Sequence, residues 1–142
     1  MTARAISALH DIHTATNDVL KGYGELEKRA QPGIQPVIRR LSDMHRKHAA
    51  EQQAELALLQ EAVQDDTSMQ GTLNKVVVMV RDWVSDLDHE VLPAVRDGEE
   101  SLSQTYKNQV EGLDASKDRA VIALLSAQHA AISDQIALLP AS

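Results

Sequence analysis

His45 and His48 are the side chains in this sequence best spaced to do chemistry. They stand three residues apart within Leu41-Ser42-Asp43-Met44-His45-Arg46-Lys47-His48-Ala49-Ala50-Glu51-Gln52, and on a helix that spacing puts both on one side. Two imidazoles and one carboxylate can hold a single Zn²⁺ or Fe²⁺ ion with positions left open. Glu99 is the carboxylate that fits, with Gln128 or His13 as a fourth contact. The same groups can form a hydrogen-bonded structural layer instead. Thr16, Tyr23, His45, His48, Glu99 and Gln128, bridged by water, would satisfy one another and fix the register of the helices that carry them. Tyr106 and His13 complete this polar core.

Other chemistry finds less support. His10 and His13 form a second pair; by symmetry about Pro32, His13 lies opposite about Gln52 and His10 opposite Glu55, a solvated polar cluster. His89 and His129 read as boundary or surface residues. Glu99 and Glu100 are neighbours in sequence, but adjacent helical residues point about 100° apart, which rules out a carboxylate pair. There is no Gly-rich phosphate loop and no nucleophile elbow. Cysteine is absent, which excludes disulfides, thiolate metal sites and Cys nucleophiles. No catalytic residue is assigned, and an enzyme is not expected.

These residues need rigid elements to position them, and the composition points to helices. The chain has 142 residues, 43% hydrophobic and 25% charged, with no Phe, one Trp and two Tyr. Length alone predicts one domain over 1–142, and Ala, Leu, Val and Gln suit helix packing. The formal charge of −7 argues against binding nucleic-acid phosphates. No apolar run approaches the roughly 18 residues of a membrane span, so a cytoplasmic location is expected.

Periodicity then sets out the elements. Ile6, Leu9, His13, Thr16, Leu20, Tyr23, Glu27 and Ala30 recur at spacings of three and four, which predicts a helix over about 3–30. Gln31-Pro32-Gly33 breaks it, and so short a connection makes the next helix an antiparallel neighbour. That second helix runs from about Ile34, its buried side marked by Ile34, Val37, Ile38, Leu41, Met44, His45, His48, Gln52, Leu56, Leu59 and Val63, and ends near Asp65-Asp66. Val76–Val80 has strand-like propensity, yet Leu73, Val76, Val77, Val80, Trp83, Val84 and Leu87 keep helical spacing, predicting a helix over about 69–86. Leu92, Val95, Glu99, Leu102, Tyr106, Val110 and Leu113 form the seam of a further helix to about 112. Asp114 or Ser116 opens the last, with Val121, Leu125, Gln128, Ile132, Gln135 or Ile136, and Leu139 inward. A connection from 65 to 88 is too long for a loop between neighbours and long enough to run the length of a bundle. The competing arrangement is an up-down-up-down bundle with one helix from 69 to 112.

Lys21-Gly22-Tyr23, Gly98-Glu99-Glu100 followed by Tyr106, and Gln128 with Ile132, Asp134 and Ile136 resemble an uncharacterised bacterial ferritin-like family labelled DUF2383. The resemblance implies an all-α, ferritin-like four-helix bundle of two antiparallel hairpins with an additional crossover helix at about 69–86. It also suggests a stress-related or partner-binding protein, acting with an unknown protein partner or as a homo-oligomer. The wider group places Glu and Glu-x-x-His sets on its four helices to hold two irons. At those places this sequence has Thr16, His45, His48, Glu99, Gln128 and Ala131, too few carboxylates for two metals. The expected site is therefore a degenerate di-iron centre with no cofactor, the alternative being a single Zn or Fe ion at His45, His48 and Glu99.

Overall fold

A computed structural model describes residues 2–59 and 89–140. Within them lie four α-helices, one 3-10 turn and no strand. Helix α1 spans Ala3–Arg29; Thr2 caps it, its Oγ1 accepting from the Ala5 amide at 3.2 Å. Lys28 and Arg29 sit in its last turn, where positive charge suits the exposed carbonyls. Helix α2 spans Gln35–Leu58, with Pro36 in its first turn, where the missing N–H has no helical partner to lose. A 3-10 turn over His89–Val91 leads into α3, Leu92–Glu111, again with a proline, Pro93, at the start. Helix α4 spans Arg119–Ala137. The expected helix at 69–86 lies outside the described residues.

The seams of α2, α3 and α4 are close to those read from periodicity. Leu92, Val95, Glu99, Leu102 and Tyr106 are buried on α3, and Val121, Leu125, Gln128 and Ile132 on α4. Two expectations need correction. On α1, Ile6, Leu20 and Glu27 are only half-buried, while Ala5, Ala8, Ile12, Ala15, Val19 and Leu26 share the inward side. A helix packed against two neighbours buries a broad face rather than a single coiled-coil line. And α4 begins at Arg119, not at Asp114 or Ser116. Asp114 instead closes a tight turn, its Oδ1 accepting from the Ser116 amide at 2.8 Å and hydroxyl at 2.7 Å.

Cross-helix contacts set the directions. Along α1 and α3, Arg4 packs on Gly112, Asp11 accepts from Gln109, Tyr23 bonds Glu99, and Gly33 beyond α1 meets His89. As one number rises the other falls, so α1 and α3 are antiparallel. Between α2 and α4 the same holds, with Arg40 on Gln135 and Glu51 on Gln128. Each hairpin, α1–α2 and α3–α4, is antiparallel by its short connection. Every adjacent pair in the ring is therefore antiparallel, while the diagonal helices α2 and α3 run parallel. Leu59 and His89 consequently lie at opposite ends of the bundle, which excludes the up-down-up-down arrangement.

Candidate functional site

The polar core divides into two levels, because its members come in pairs seven residues apart: Thr16 and Tyr23, His45 and Gln52, Glu99 and Tyr106. Seven residues are two turns, about 10 Å of rise. One expected layer is thus two, with His48 and Gln128 between them.

Tyr23, His45 and Glu99 make the first level. All three are buried, at 0%, 0% and 1% exposure. The Tyr23 hydroxyl donates to Glu99 Oε2 at 2.7 Å. His45 Nε2 lies 2.9 Å from Glu99 Oε1 and 2.8 Å from Oε2, donating its N–H to the carboxylate. The His45 ring also stacks on Tyr23, with centroids 5.8 Å apart. Burial and then the Glu99 charge push the Tyr23 phenol well above its ordinary value, so it stays a proton donor. Burial is costly for a lone carboxylate; two charge-assisted bonds offset that cost.

The second level centres on two carboxamides. Gln52 Oε1 accepts from His13 Nδ1 at 3.1 Å. Gln52 Nε2 faces the Thr16 hydroxyl at 3.1 Å, the Tyr106 hydroxyl at 2.9 Å and Gln128 Oε1 at 3.0 Å. Tyr106 in turn donates to Gln128 Oε1 at 2.9 Å, and Gln128 Nε2 donates to the His48 carbonyl and to Glu51 Oε1. The Thr16 hydroxyl itself donates to the Ile12 carbonyl. Burial raises the Tyr106 phenol, and bonds with Thr16 and Gln52 offset part of that rise. Donors and acceptors close on one another across all four helices.

His48 belongs to neither circuit. It meets His45 edge-on at 6.0 Å between centroids, and burial, followed by the His45 charge, lowers its imidazole to about 4. The Nδ1 atoms of His45 and His48 are buried without a hydrogen-bond partner. His48 thus presents a neutral imidazole to the core, with the unpartnered Nδ1 of His45 buried beside it.

The structure brings Tyr23, His45 and Glu99 together in one cluster and His13, Thr16, Tyr106 and Gln128 in the other. It sets His48 beside the first without a bond to Glu99. Among the described residues, no three His, Asp or Glu side chains converge as a metal-ligand group. A two-iron centre does not fit this donor set. Glu99 is the one buried carboxylate within the two clusters, although Asp18 on α1 is buried as well, and Gln52 and Gln128, neutral amides, fill the second level. His129, read as a surface residue, accepts from or donates to Ser103 Oγ at 2.9 Å.

Two participants were not singled out by sequence reasoning. Gln52 is placed on the buried side of α2 and opposite His13 by periodicity, yet the seven-residue match with His45 is the signal that marks it as a hub. Asp118 carries no such signal. It is fully buried, and its carboxylate accepts from the Thr2 amide at 2.9 Å, the Thr2 hydroxyl at 2.8 Å and the Asp114 amide at 3.0 Å. Those bonds, led by the Thr2 amide, hold its carboxyl below the usual range and tie the start of α1 to the α3–α4 turn.

The family model described as "Domain of unknown function (DUF2383)" matches residues 4–112. A solved structure described as a conserved hypothetical protein, Rv2844, from Mycobacterium tuberculosis is similar in fold, with a TM-score of 0.67 and 14% identity, over 96% of this chain and 98% of that one. None of the curated proteins matches the chain. Among the described residues, no helix is long and apolar enough to cross a membrane.

Proposed function

The chain belongs to the DUF2383 family, a family of unknown function, and from that premise we propose that it is a non-catalytic, ferritin-like helical module with a degenerate di-iron site. Its role would be stress-related or partner-binding. The helix directions support the ferritin-like reading: two antiparallel hairpins, with α2 and α3 parallel, call for a crossover of the kind expected at about 69–86. The observation that carries the non-catalytic reading is the closure of the Glu99 carboxylate by Tyr23 and His45. A group whose oxygens are already bonded, beside amides in place of carboxylates, has no reacting atom to offer.

One observation favours a second reading. The buried, unpartnered Nδ1 atoms of His45 and His48 are of the type that binds Zn²⁺ or Fe²⁺. A mononuclear site would use His45, His48 and Glu99; because Glu99 now holds His45 Nε2, across the ring from Nδ1, the imidazole would have to turn and Glu99 release its Tyr23 bond for all three to meet one ion. Elemental analysis of untagged protein, beside His48→Ala, separates the two. Less than one-tenth equivalent of metal in a folded protein supports the structural core. Stoichiometric metal that His48→Ala abolishes overturns it.

A further inference from the structure

Charge is unevenly shared between the two hairpins. Residues 21–47, which span the end of α1, the turn and the start of α2, hold seven of the 14 Lys and Arg but only three of the 21 Asp and Glu. That stretch carries +4 in a chain of −7, which leaves −11 on the remainder. Lys21 and Lys28 stand seven residues apart on α1, and Arg39 and Arg46 seven apart on α2, with Lys47 beside them; all five are exposed. Arg46 reaches across to Glu27 at 3.5 Å, which sets the two rows side by side on the outer face of the α1–α2 hairpin. The three acids of the stretch are already answered, Glu25 by Lys28, and Glu27 and Asp43 by Arg46. A surplus of positive charge remains.

The α3–α4 hairpin presents the opposite sign. His45 meets Glu99 and Gln52 meets Tyr106, both 54 residues apart, so residues 39–47 of α2 stand level with 93–101 of α3. Glu90, Asp97 and Glu100 are exposed around that level, and α4 has no Lys or Arg beyond Arg119. Arg96, lying among those acids, is bonded to Glu100 and to the Leu139 carbonyl. The two hairpins form the two layers of the bundle, so the basic and acidic faces point in opposite directions. Glu90 and Asp97 repeat the seven-residue spacing of the cations. Were two copies stacked strictly level, Asp43 would meet Asp97. A displacement of one turn, about 5 Å, brings Asp97 level with Arg46 and Lys47, and Glu90 with Arg39 and Arg40. Against a polyanion, by contrast, Glu25 and Asp43 interrupt any continuous run of phosphate contacts. We propose that the α1–α2 face docks on the α3–α4 face of a second copy, a front-to-back contact between unlike surfaces. Because the two faces lie on opposite sides of the molecule, the contact does not close on itself and copies add in open rows. Each exposed ion pair contributes little by itself, so the association needs several pairs at once and low salt. This rests on the partner-binding reading above and names the partner, but it uses the outer faces alone, so self-association can fail while the metal analysis of the core still stands.

Sedimentation velocity of the full chain tests this. In about 20 mM NaCl charges are felt over about 20 Å, and the weight-average mass should at least double as concentration rises into the high micromolar range, with no plateau at a dimer. In about 500 mM NaCl, where that distance is about 4 Å, it should return to monomer. Two charge-reversed variants sharpen the result. Arg39→Glu/Arg46→Glu/Lys47→Glu and Glu90→Lys/Asp97→Lys/Glu100→Lys should each stay monomeric in low salt, because both faces then carry one sign. Their equimolar mixture should associate again, because every contact between the two variants joins opposite signs; a variant that had merely failed to fold could not restore it. A wild type that is monomeric in low salt would overturn the proposal. So would association that persists in either variant, a mixture that stays monomeric, or growth that stops at a dimer. Low-salt binding of polyphosphate by a chain that does not self-associate would assign the basic face to a polyanion and overturn it as well.

Discussion

The Tyr23–Glu99–His45 cluster makes a sharp energetic prediction. Tyr23→Phe removes one hydroxyl and the 2.7 Å bond to Glu99, leaving the carboxylate with His45 alone. A hydrogen bond to a charged group is worth about 1.5–3 kcal/mol; because His45 still bonds Glu99, the lower end, about 1.5 kcal/mol, is expected. Glu99→Gln keeps the shape but gives the site one acceptor oxygen and one amide donor. With its oxygen on His45 its amide N–H can meet only the Tyr23 oxygen, and the charge-assisted Tyr23 bond is lost, so a cost of about 2–3 kcal/mol is expected. That bond is lost in either single variant and so counts twice in their sum, whereas the double variant loses it once. The two costs should therefore fall short of additivity by about 1 kcal/mol. Urea unfolding at pH 7, with an unchanged m-value, measures all three. Full stability in Glu99→Gln, or additivity within about 0.3 kcal/mol, would refute the idea that these groups work as one bonded cluster.

Three further outcomes follow from named groups. His48 resists protonation until about pH 4, whereas an unfolded imidazole takes its proton near pH 6.5; stability should be full above about pH 6.5 and fall as pH drops toward 4. The whole interval would amount to about 3 kcal/mol, reduced by solvent screening to about 1–2, and His48→Gln should flatten the pH dependence of urea midpoints. Gln52→Leu strips partners from His13, Thr16 and Gln128 and should cost about 2–4 kcal/mol by the same assay; a neutral result would show that the second level is dispensable. Asp118→Asn should speed hydrogen exchange at the amides of Thr2 and Asp114 while leaving the centre of α2 unchanged; equal acceleration throughout would show that Asp118 supports the whole fold rather than a local tie.

Much of this was legible because bundle helices write their buried faces into sequence spacing. The seam of α3 from Leu92 to Tyr106 and that of α4 from Val121 to Ile132 are buried as periodicity requires. The levels of His13 and Gln52 follow from hairpin symmetry about Pro32, and they meet at 3.1 Å. Two things were illegible for physical reasons. Periodicity states that a residue faces inward but not which inward neighbour it bonds, so Glu99 could equally face a metal or Tyr23. And the burial of Asp118 at the start of α4 depends on Thr2, 116 residues away, a contact that no local pattern encodes. Asp114 has the cap residue type, and the chain uses it in the preceding turn instead.

The two polar levels also explain how this bundle selects one register. Its apolar seams repeat every seven residues, so sliding one hairpin past the other by seven would keep leucine against leucine and isoleucine against valine at little cost. The polar groups forbid it. In the observed register Tyr23 meets Glu99 while Thr16 meets Tyr106 through Gln52. Slipped one way, Tyr23 faces Tyr106 and Glu99 falls beside Ala30, with neither hydroxyl nor imidazole in reach. Slipped the other, Glu99 meets Thr16 and Gln52, but Tyr23 faces Leu92 and Tyr106 lies against Leu9, so both phenols lose their partners. Either slip buries at least two of these polar groups with bonds missing, at several kcal/mol for the pair, comparable with a small domain's whole stability. Hydrophobic packing draws these helices together; the Glu99 and Gln52 clusters add to their stability and decide where along their length they stop.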